Sequence, residues 1–341
     1  MFVKLSVIIP CYNNGKYLAE MLDCCIRQTF KEWEVIVVDD ISTDNTPDIV
    51  KSYAKKDERI KFFQRNRQPK GSVVCRNIGF DLSSGEYIIH FDADDLISDT
   101  CFEKRVAYME SHLECDYASF PAVLFYDAGK IPEWGKGKIE YGITSKKGNI
   151  LHDFLSARFP FSCWCNIYRR EAIKNIRWDE NILVYSDFSY IIPCIFANLK
   201  HQFSGLQEYD YYYRQFVNGS NMCASFTSEG KCRSTLYLFE KTQEMIQTRN
   251  DKDKLLNYYL IWTIIHYERL LLSGNISNIN DFYHAISKYY DRGILLKCRI
   301  AKELSSIANE KVRIFLVDLV LGILFVNKRL FKKSIKAILG Y

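Results

Sequence analysis

The first ninety residues alternate short apolar runs with segments of helical periodicity, and this alternation narrows the possible folds more than any other feature. The apolar runs cover residues 5–10, 34–38, 60–63 and 86–91. Apolar side chains recur at helical spacing in residues 16–29, 43–56 and 73–82. Runs that are mostly apolar, without a regular alternation of polar residues, are typical of strands buried on both faces, in a sheet that helices cover. We therefore predict an α/β domain with a mostly parallel central sheet.

The length and composition allow a second region beyond this domain. With 341 residues the chain can hold two ordinary domains. After residue 228 Gly and Pro are sparse and the pattern is helical, so we predict an α/β domain at 1–225 and a helical region at 226–341. The net charge of +5 is modest and gives no reason to expect a nucleic-acid partner. No C-x-x-C pair and no secretory signal are present, which argues against zinc and favours the cytoplasm.

Acidic and polar residues follow three of the predicted strands, at 10–13, at 39–40 and at 92–94. In a parallel sheet, ligands bind beyond the carboxyl ends of the strands, so these groups should meet. Asp92 and Asp94 would point to one side if their strand continued through them. Two such carboxylates stay ionised together only beside a cation or hydrogen-bond donors. A divalent ion shared with substrate phosphates is one interpretation. An acidic turn before a helix near residue 99 is the other.

Taken in order, the motifs resemble those of inverting family 2 glycosyltransferases, which have the GT-A fold. The matching segments are SVIIPCYN at 6–13, QTF at 28–30, VVDDISTDNT at 37–46, RNIG at 76–79, GEYI at 85–88 and FDADD at 91–95. The resemblance implies a metal-dependent transferase that moves a sugar from a nucleotide-sugar, most simply a UDP-sugar, to a saccharide or lipid-linked glycan in cell-surface polysaccharide synthesis. It also implies a nucleotide-binding half at 1–115 and an acceptor half at 116–225.

The same resemblance implies roles for individual residues. The residues expected to bind the donor are Pro10, Tyr12, Asp39, Asp40, Arg76, Asp92 and Arg214. In this scheme Tyr12 lies against the base, Asp40 accepts a base N–H, and Asp39 orients their loop. Asp94, with Asp92, would hold Mn²⁺ or Mg²⁺.

Structural roles compete with several of these assignments. Tyr12 could pack a turn, and Arg76 could form an ion pair with Asp40 or Asp92. Asp95 could be a helix N-terminal charge or a ligand, and Asn77 could brace a loop. For Arg214, in the segment YYYR at 211–214 that precedes GSN at 219–221, the resemblance implies a diphosphate contact or the ordering of a lid.

Asp187 is the candidate general base. The segments FSCWCNIYRRE at 161–171 and YSDF at 185–188 resemble the family's segments around its catalytic acid. Related enzymes commonly carry Glu-Asp where this chain has Ser186-Asp187, so only the second acid is retained. Inversion needs one carboxylate to take the proton of the attacking hydroxyl. The alternative is that Asp187 is a helix N-cap.

The C-terminal tail has the pattern of a membrane-surface helix. Residues 312–326 are nearly all apolar but fall short of the roughly twenty residues that a spanning helix needs. Residues 328–336 are rich in Lys and Arg, with apolar residues on one helical face. We expect contact with an anionic membrane surface, on its inner face. A tail helix packed on the protein with a solvated basic face is the alternative.

Two other functions compete with a transferase. A sugar-1-phosphate nucleotidyltransferase would need a Gly-rich first loop with Arg and Lys, and residues 11–15 offer one glycine and no arginine. A non-catalytic saccharide-binding or scaffold protein could have lost its activity when Ser186 replaced the first acid. The retained acidic residues at the strand ends and Asp187 argue against this alternative. The irregular stretch 129–148 is a candidate acceptor-side loop.

Overall fold

The computed structural model describes residues 3–127, 139–145, 148–216, 228–273, 276–306 and 310–321. The described residues form two compact units. One draws on Met1–Gly148, Phe159–Glu180 and Tyr185–Ala224, and the other on Asn149–Arg158, Asn181–Val184 and Ser225–Tyr341. The predicted division at residue 225 falls beside the main boundary, but two short earlier segments join the second unit.

The strands all lie in the first unit. In chain order they are β1 (Leu5–Cys11), β2 (Trp33–Asp39), β3 (Ile60–Gln64), β4 (Tyr87–His90), β5 (Leu96–Ile97), β6 (Tyr117–Ser119), β7 (Ala122–Tyr126), β8 (Ile139–Tyr141), β9 (Asn166–Arg169), β10 (His201–Phe203) and β11 (Tyr211–Gln215). The helices are α1 (Leu18–Arg27), α2 (Thr46–Lys56), α3 (Ser72–Leu82), α4 (Cys101–Ser111), α5 (Ile150–Leu155), α6 (Arg170–Ile173), α7 (Ser186–Phe196), α8 (Glu229–Gln247), α9 (Lys252–Ser273), α10 (Ile276–Ser287), α11 (Arg292–Leu304) and α12 (Glu310–Leu321).

A seven-stranded sheet in the order β10-β6-β9-β4-β1-β2-β3 forms the centre of the first unit. Strands β1, β2 and β4 are buried along their whole length, as their mostly apolar runs predict. Four of its six pairings are parallel, and β9 runs antiparallel to both of its neighbours. The predicted α/β class and mostly parallel sheet are confirmed, with β9 making the sheet mixed.

A second sheet has the order β5-β11-β7-β8. The sequence pattern predicted one strand region over residues 116–125, but the structure breaks it into β6 in the first sheet and β7 in the second. The break falls at Phe120 and Pro121, and Pro lacks the N–H that a continuous ladder would use.

The acidic stretch at 92–95 lies between these two sheets. Strand β4 ends at His90 and β5 begins at Leu96, so the intervening residues are a connection rather than a strand. The alternation rule therefore does not apply to Asp92 and Asp94. Their directions are set by the contacts of the connection, which are described below.

The described part of the second unit is helical, as predicted for the region after residue 225. Its core is aromatic: Phe239 and Trp262 stack on Tyr259 with ring centroids 5.8 and 5.0 Å away. Stacked rings of this kind add to the free energy gained by burying apolar area. Among the described helices, none is both long and apolar enough to cross a bilayer.

His90 is an unusual residue in the core of the first unit. It is fully buried in β4 and lies edge-on to Trp178 and Tyr190, with ring centroids 5.2 and 5.6 Å away. Neither ring nitrogen has a hydrogen-bond partner among the described residues. Burial, and to a smaller extent the charge of Arg76, hold the pKa of His90 well below its usual value.

We predict that His90 makes the protein less stable in mild acid. Folded His90 stays neutral while the unfolded residue takes up a proton below pH ~6.5, so protonation favours unfolding as the pH falls. Relative to His90→Phe, the wild type should lose about 1.4 kcal/mol of unfolding free energy between about pH 7.5 and 5.5. Urea denaturation at both pH values measures this difference, and parallel losses in the two proteins would contradict the prediction.

Candidate active site

The predicted site residues follow strands that are neighbours in the first sheet. Strand β1 ends at Cys11 and β2 at Asp39, and the parallel register places these two residues opposite each other. Strand β4 flanks β1 on its other side and also runs parallel to it. Asp40 and Asp94 therefore leave the same edge of the sheet, with the end of β1 between them.

The loops after β1 and β2 are tied together by polar contacts. Asn13 has a left-handed backbone, with φ of 52°, and its side-chain oxygen accepts the N–H of Thr43 at 2.8 Å. The Asn13 N–H donates to the Ser42 hydroxyl at 2.9 Å. A Cβ at Gly15 would lie 1.9 Å from the Asn45 side-chain oxygen, so a larger residue there would displace the Asn45 side chain. These contacts fix the loop that presents Tyr12.

Tyr12 projects from this loop and is 49% exposed. The Lys70 ammonium lies 5.8 Å from its ring centroid. An aromatic face that is held at the edge of a sheet and left open to solvent can stack against a flat ligand. Pro10, by contrast, is buried within β1, opposite Val38 of β2, so it shapes the strand end from inside.

Asp39 and Asp40 have different surroundings. Asp39 is fully buried and accepts hydrogen bonds from the Ser42 N–H at 3.0 Å and the Gln64 amide at 3.1 Å. Asp40 pairs with the guanidinium of Arg65, which in turn donates to the Arg67 carbonyl at 2.6 Å. Asp39 therefore orders the loop after β2, while Arg65 orients the Asp40 carboxylate. No motif in the sequence marks Arg65 as part of the site, although this residue directly follows β3.

Arg76, Asp92 and Asp187 form one cluster of charges. The Arg76 guanidinium pairs with Asp92 and lies 4.7 Å from the centroid of a Trp178 ring. The alternative pairing of Arg76 with Asp40 is not what the structure shows. Burial raises the pKa of Asp92 to about 6; Arg76 opposes the rise, whereas the charges of Asp94 and Asp187 add to it.

Asp187 lies in the first turn of α7, where the helix dipole favours a negative charge. The helix begins at Ser186 and its N-cap position is Tyr185, so Asp187 is not the N-cap that the alternative interpretation proposed. The Ser162 hydroxyl donates a hydrogen bond to its carboxylate. A contact from 25 residues away in sequence thus orients this side chain.

The connection 92–95 exposes one carboxylate and buries another. Asp94 is partly exposed. Burial raises the pKa of its carboxyl, whereas the hydrogen bond from its own N–H and the charge of Arg214 lower it. Asp95 is fully buried and accepts hydrogen bonds from the Tyr211 hydroxyl at 2.5 Å and the Arg214 N–H at 2.7 Å. Asp95 precedes β5 and lies six residues before the first residue of α4. It is therefore not the helix N-terminal charge that the sequence pattern allowed.

The chemistry of these carboxylates fits a divalent ion that is shared with a ligand. Among the described residues, no group of three or more His, Cys, Asp or Glu side chains could hold a metal by itself. Mg²⁺ and Mn²⁺ need only one or two carboxylates where substrate phosphates complete the coordination. Asp94 suits this role because no basic side chain in the described part forms an ion pair with it. Asp92 already shares its charge with Arg76.

The side chains of Asn77 and Arg214 both form hydrogen bonds within the protein. The Asn77 amide donates to the Trp178 carbonyl at 2.9 Å and to Glu180 at 2.8 Å, so it braces the segment before α7. Arg214 contacts Glu20, Asp127 and the Asp94 carbonyl. Glu20, Asp127 and Ser162 could not be recognised as part of the site from the sequence, because their partners lie far away along the chain.

Some predicted features lie outside the described residues. These are most of the candidate acceptor-side loop at 129–148, the segment GSN at 219–221 and the basic tail at 328–336. Their predicted roles stay predictions. The same holds for the donor, metal and catalytic roles of the residues described above, whose positions and contacts the structure now defines.

Comparisons with known proteins agree on one family. The family model described as "Glycosyl transferase family 2" matches residues 6–177, about half of the chain. The GalNAc(5)-diNAcBac-PP-undecaprenol beta-1,3-glucosyltransferase of Campylobacter jejuni is 31% identical over 177 residues, which are 52% of this chain and 55% of that protein. The chain thus spans about half the length of this relative.

Solved structures give the same answer for the fold. S. aureus TarS 1-349 in complex with UDP-GlcNAc superposes with a TM-score of 0.63 at 21% identity, over 91% of this chain and 90% of that one. The mannosyltransferase PcManGT from Pyrobaculum calidifontis, in complex with GDP-Man and Mn²⁺, gives 0.53 at 14% identity, over 95% and 87%. The predicted GT-A fold is confirmed. The chain belongs to glycosyl transferase family 2 and is a glycosyltransferase.

Proposed function

We propose that this family 2 enzyme is a metal-dependent inverting transferase that moves a hexose from a UDP-sugar to a saccharide or lipid-linked glycan in cell-surface polysaccharide synthesis. One observation carries the proposal. The folded chain brings Asp187 close enough to the acidic connection for its charge to act on Asp92 and Arg76, although about a hundred residues separate them in sequence. A candidate base therefore faces a candidate diphosphate site.

Tyr12, Asp40 and Arg76 are the proposed donor contacts. The exposed Tyr12 ring would stack on the base, and the Asp40 carboxylate, oriented by Arg65, would accept a base N–H. Arg76 would balance charge near the diphosphate, since a guanidinium suits phosphate oxygens. TarS, which shares the fold, is solved with UDP-GlcNAc, and this supports a UDP-sugar as the first donor to test.

A divalent ion would be held by Asp94, with Asp92 as a second ligand. When bound, Mn²⁺ or Mg²⁺ supplies positive charge for the leaving nucleoside diphosphate. The structure of PcManGT contains Mn²⁺ together with GDP-Man, which supports manganese as the ion to test first. The protein's own part is to keep the Asp94 carboxylate available and to limit the water around it.

Asp187 would act as the general base. The acceptor hydroxyl would attack the anomeric carbon on the face opposite the nucleotide, and its proton would pass to the Asp187 carboxylate as the bond to the diphosphate breaks. The Ser162 hydroxyl donates a hydrogen bond that orients this carboxylate, and the carboxylate lies in the first turn of α7. The Ser186 side chain takes no part in the hydrogen bond from Ser162 to Asp187.

The two competing functions are less well supported. A nucleotidyltransferase needs donors for a triphosphate in the loop after β1, and that loop is occupied by contacts between Asn13, Ser42 and Thr43. A non-catalytic binding protein would have no use for a carboxylate oriented as Asp187 is. The undecaprenol-linked name of the Campylobacter jejuni relative supports a lipid-linked acceptor.

We predict that Asp187→Asn lowers the transfer rate by about 10²- to 10⁴-fold, the usual contribution of a general base. UDP affinity in the presence of Mn²⁺ should stay within about twofold of wild type, because Asp187 does not hold the diphosphate. Ser162→Ala is the matched control: it keeps the carboxylate and should cost much less. Turnover of Asp187→Asn near the wild-type rate would remove Asp187 from this role.

We predict that Mn²⁺ raises the apparent stability of the protein in the presence of UDP, and that Asp94→Asn abolishes this rise. Ligand at about 100 times its Kd stabilises a protein by about 2.7 kcal/mol. Thermal shift with a panel of UDP- and GDP-sugars, with Mn²⁺ or with EDTA, measures both effects and identifies the nucleotide. Asp99→Asn, at an exposed ion pair with Arg27, should behave as wild type. An equal shift in EDTA would refute metal dependence.

We further propose that the basic tail binds an anionic membrane surface, where lipid-linked acceptors would be found. Removal of residues 322–341 leaves the described helix α12 complete. It should weaken binding to phosphatidylglycerol vesicles by at least about tenfold, since each Lys or Arg contributes about 1 kcal/mol near such a surface. Cosedimentation at low and high salt measures this, and equal binding of the full-length and shortened proteins would refute the role.

A further inference from the structure

Strand β11 holds the acidic connection 92–95 at several points. The Tyr211 hydroxyl accepts the Asp92 N–H at 3.3 Å and donates to the Asp95 carboxylate at 2.5 Å. The Arg214 N–H donates to the other oxygen of Asp95 at 2.7 Å. The Arg214 side chain then reaches the Asp94 carbonyl, to which its Nε–H donates at 2.6 Å. The backbone on both sides of Asp94 is therefore tied to one strand of the second sheet.

The rest of the Arg214 guanidinium is held by two acidic side chains from other elements. One Nη donates to Glu20, in the first turn of α1, at 2.6 Å, and the other to Asp127, just after β7, at 3.3 Å. The Tyr17 hydroxyl also donates to Asp127, at 2.8 Å, and the Tyr17 ring centroid lies 4.6 Å from the guanidinium. Arg214 thus links the helix after the Tyr12 loop, the connection 92–95 and the second sheet.

Two details separate this arrangement from an ordinary phosphate site. The Arg214 side chain is only 6% exposed, so little of it is left for a bound diphosphate. In addition, it contacts the backbone carbonyl of Asp94 and not the Asp94 carboxylate. The guanidinium charge is shared with Glu20 and Asp127, and the Asp94 carboxylate stays available for a cation.

We propose that Arg214 is a positioning residue for Asp94: together with Tyr211 and Asp95, it fixes the backbone that aims the metal-binding carboxylate. This inference rests on the proposed metal role of Asp94 and differs from the diphosphate contact that the sequence resemblance implied for Arg214. Groups outside a metal's direct ligands commonly change its affinity by about 10- to 100-fold when they are altered.

The test is Arg214→Lys, which keeps the charge but cannot make the forked contacts to Asp94, Glu20 and Asp127 together. UDP binding is measured by calorimetry in EDTA and in Mn²⁺. We expect the affinity in EDTA to stay within about twofold of wild type, and the gain in affinity on adding Mn²⁺ to fall by at least about tenfold. The matched control is Arg169→Lys. The Arg169 guanidinium also contacts backbone carbonyls, those of Met109 and Cys115, but the residue lies opposite Tyr87, at the start of β4 and away from the connection 92–95.

Hydrogen exchange provides a second measurement that needs no ligand. Amide protection of the peptide 91–98 should decrease in Arg214→Lys and stay unchanged in Arg169→Lys, because of these two side chains Arg214 is the one that contacts this backbone. Unchanged protection of this peptide in Arg214→Lys would overturn the proposal.

The remaining outcomes are also decisive. Weaker UDP binding in EDTA would make Arg214 a diphosphate ligand, and an unchanged gain from Mn²⁺ would make it a purely structural residue. A wild type that gains nothing from Mn²⁺ would refute the metal role on which the inference rests. In that case a loss of protection at 91–98 would still show that Arg214 orders the connection, so the two failures can be told apart.

Discussion

Repulsion between the carboxylates of the connection 92–95 is the constraint that organises the site. Three acidic side chains within four residues, partly or wholly removed from water, cannot all stay ionised without compensation. The chain compensates each one differently: Asp92 by the Arg76 guanidinium, and Asp95 by the Tyr211 hydroxyl and the Arg214 N–H. Asp94 receives no comparable partner from the described residues. This difference among the three acids is the reason why Asp94, and neither Asp95 nor Asp92 alone, is the proposed metal ligand.

Sequence patterns were sufficient for the features that depend on local periodicity. The runs that became β1, β2 and β4 are mostly apolar and buried along their whole length, and the parallel arrangement follows from the helices between them. The position of the acidic groups at one edge of the sheet follows from that arrangement alone. The same reasoning failed at residues 116–125, where one apolar stretch is shared between two sheets at Pro121.

The contacts that orient the candidate site could not be predicted in this way. Arg65 orients Asp40, Ser162 orients Asp187, and Glu20 holds Arg214 across 194 positions of sequence. Such pairs depend on tertiary packing, and neither spacing nor residue type reveals them. A motif shows which side chains face a ligand, whereas the groups behind them become visible only in the folded chain.

The position of β9 in the middle of the first sheet affects how the chain folds during its synthesis on the ribosome. This strand, at Asn166–Arg169, inserts between β4 and β6 and pairs with both. While the ribosome has released only the first hundred residues, one side of β4 has no partner and presents bare backbone N–H and C=O groups. These first hundred residues are therefore prone to aggregation during synthesis until residue 169 emerges and β9 pairs with β4.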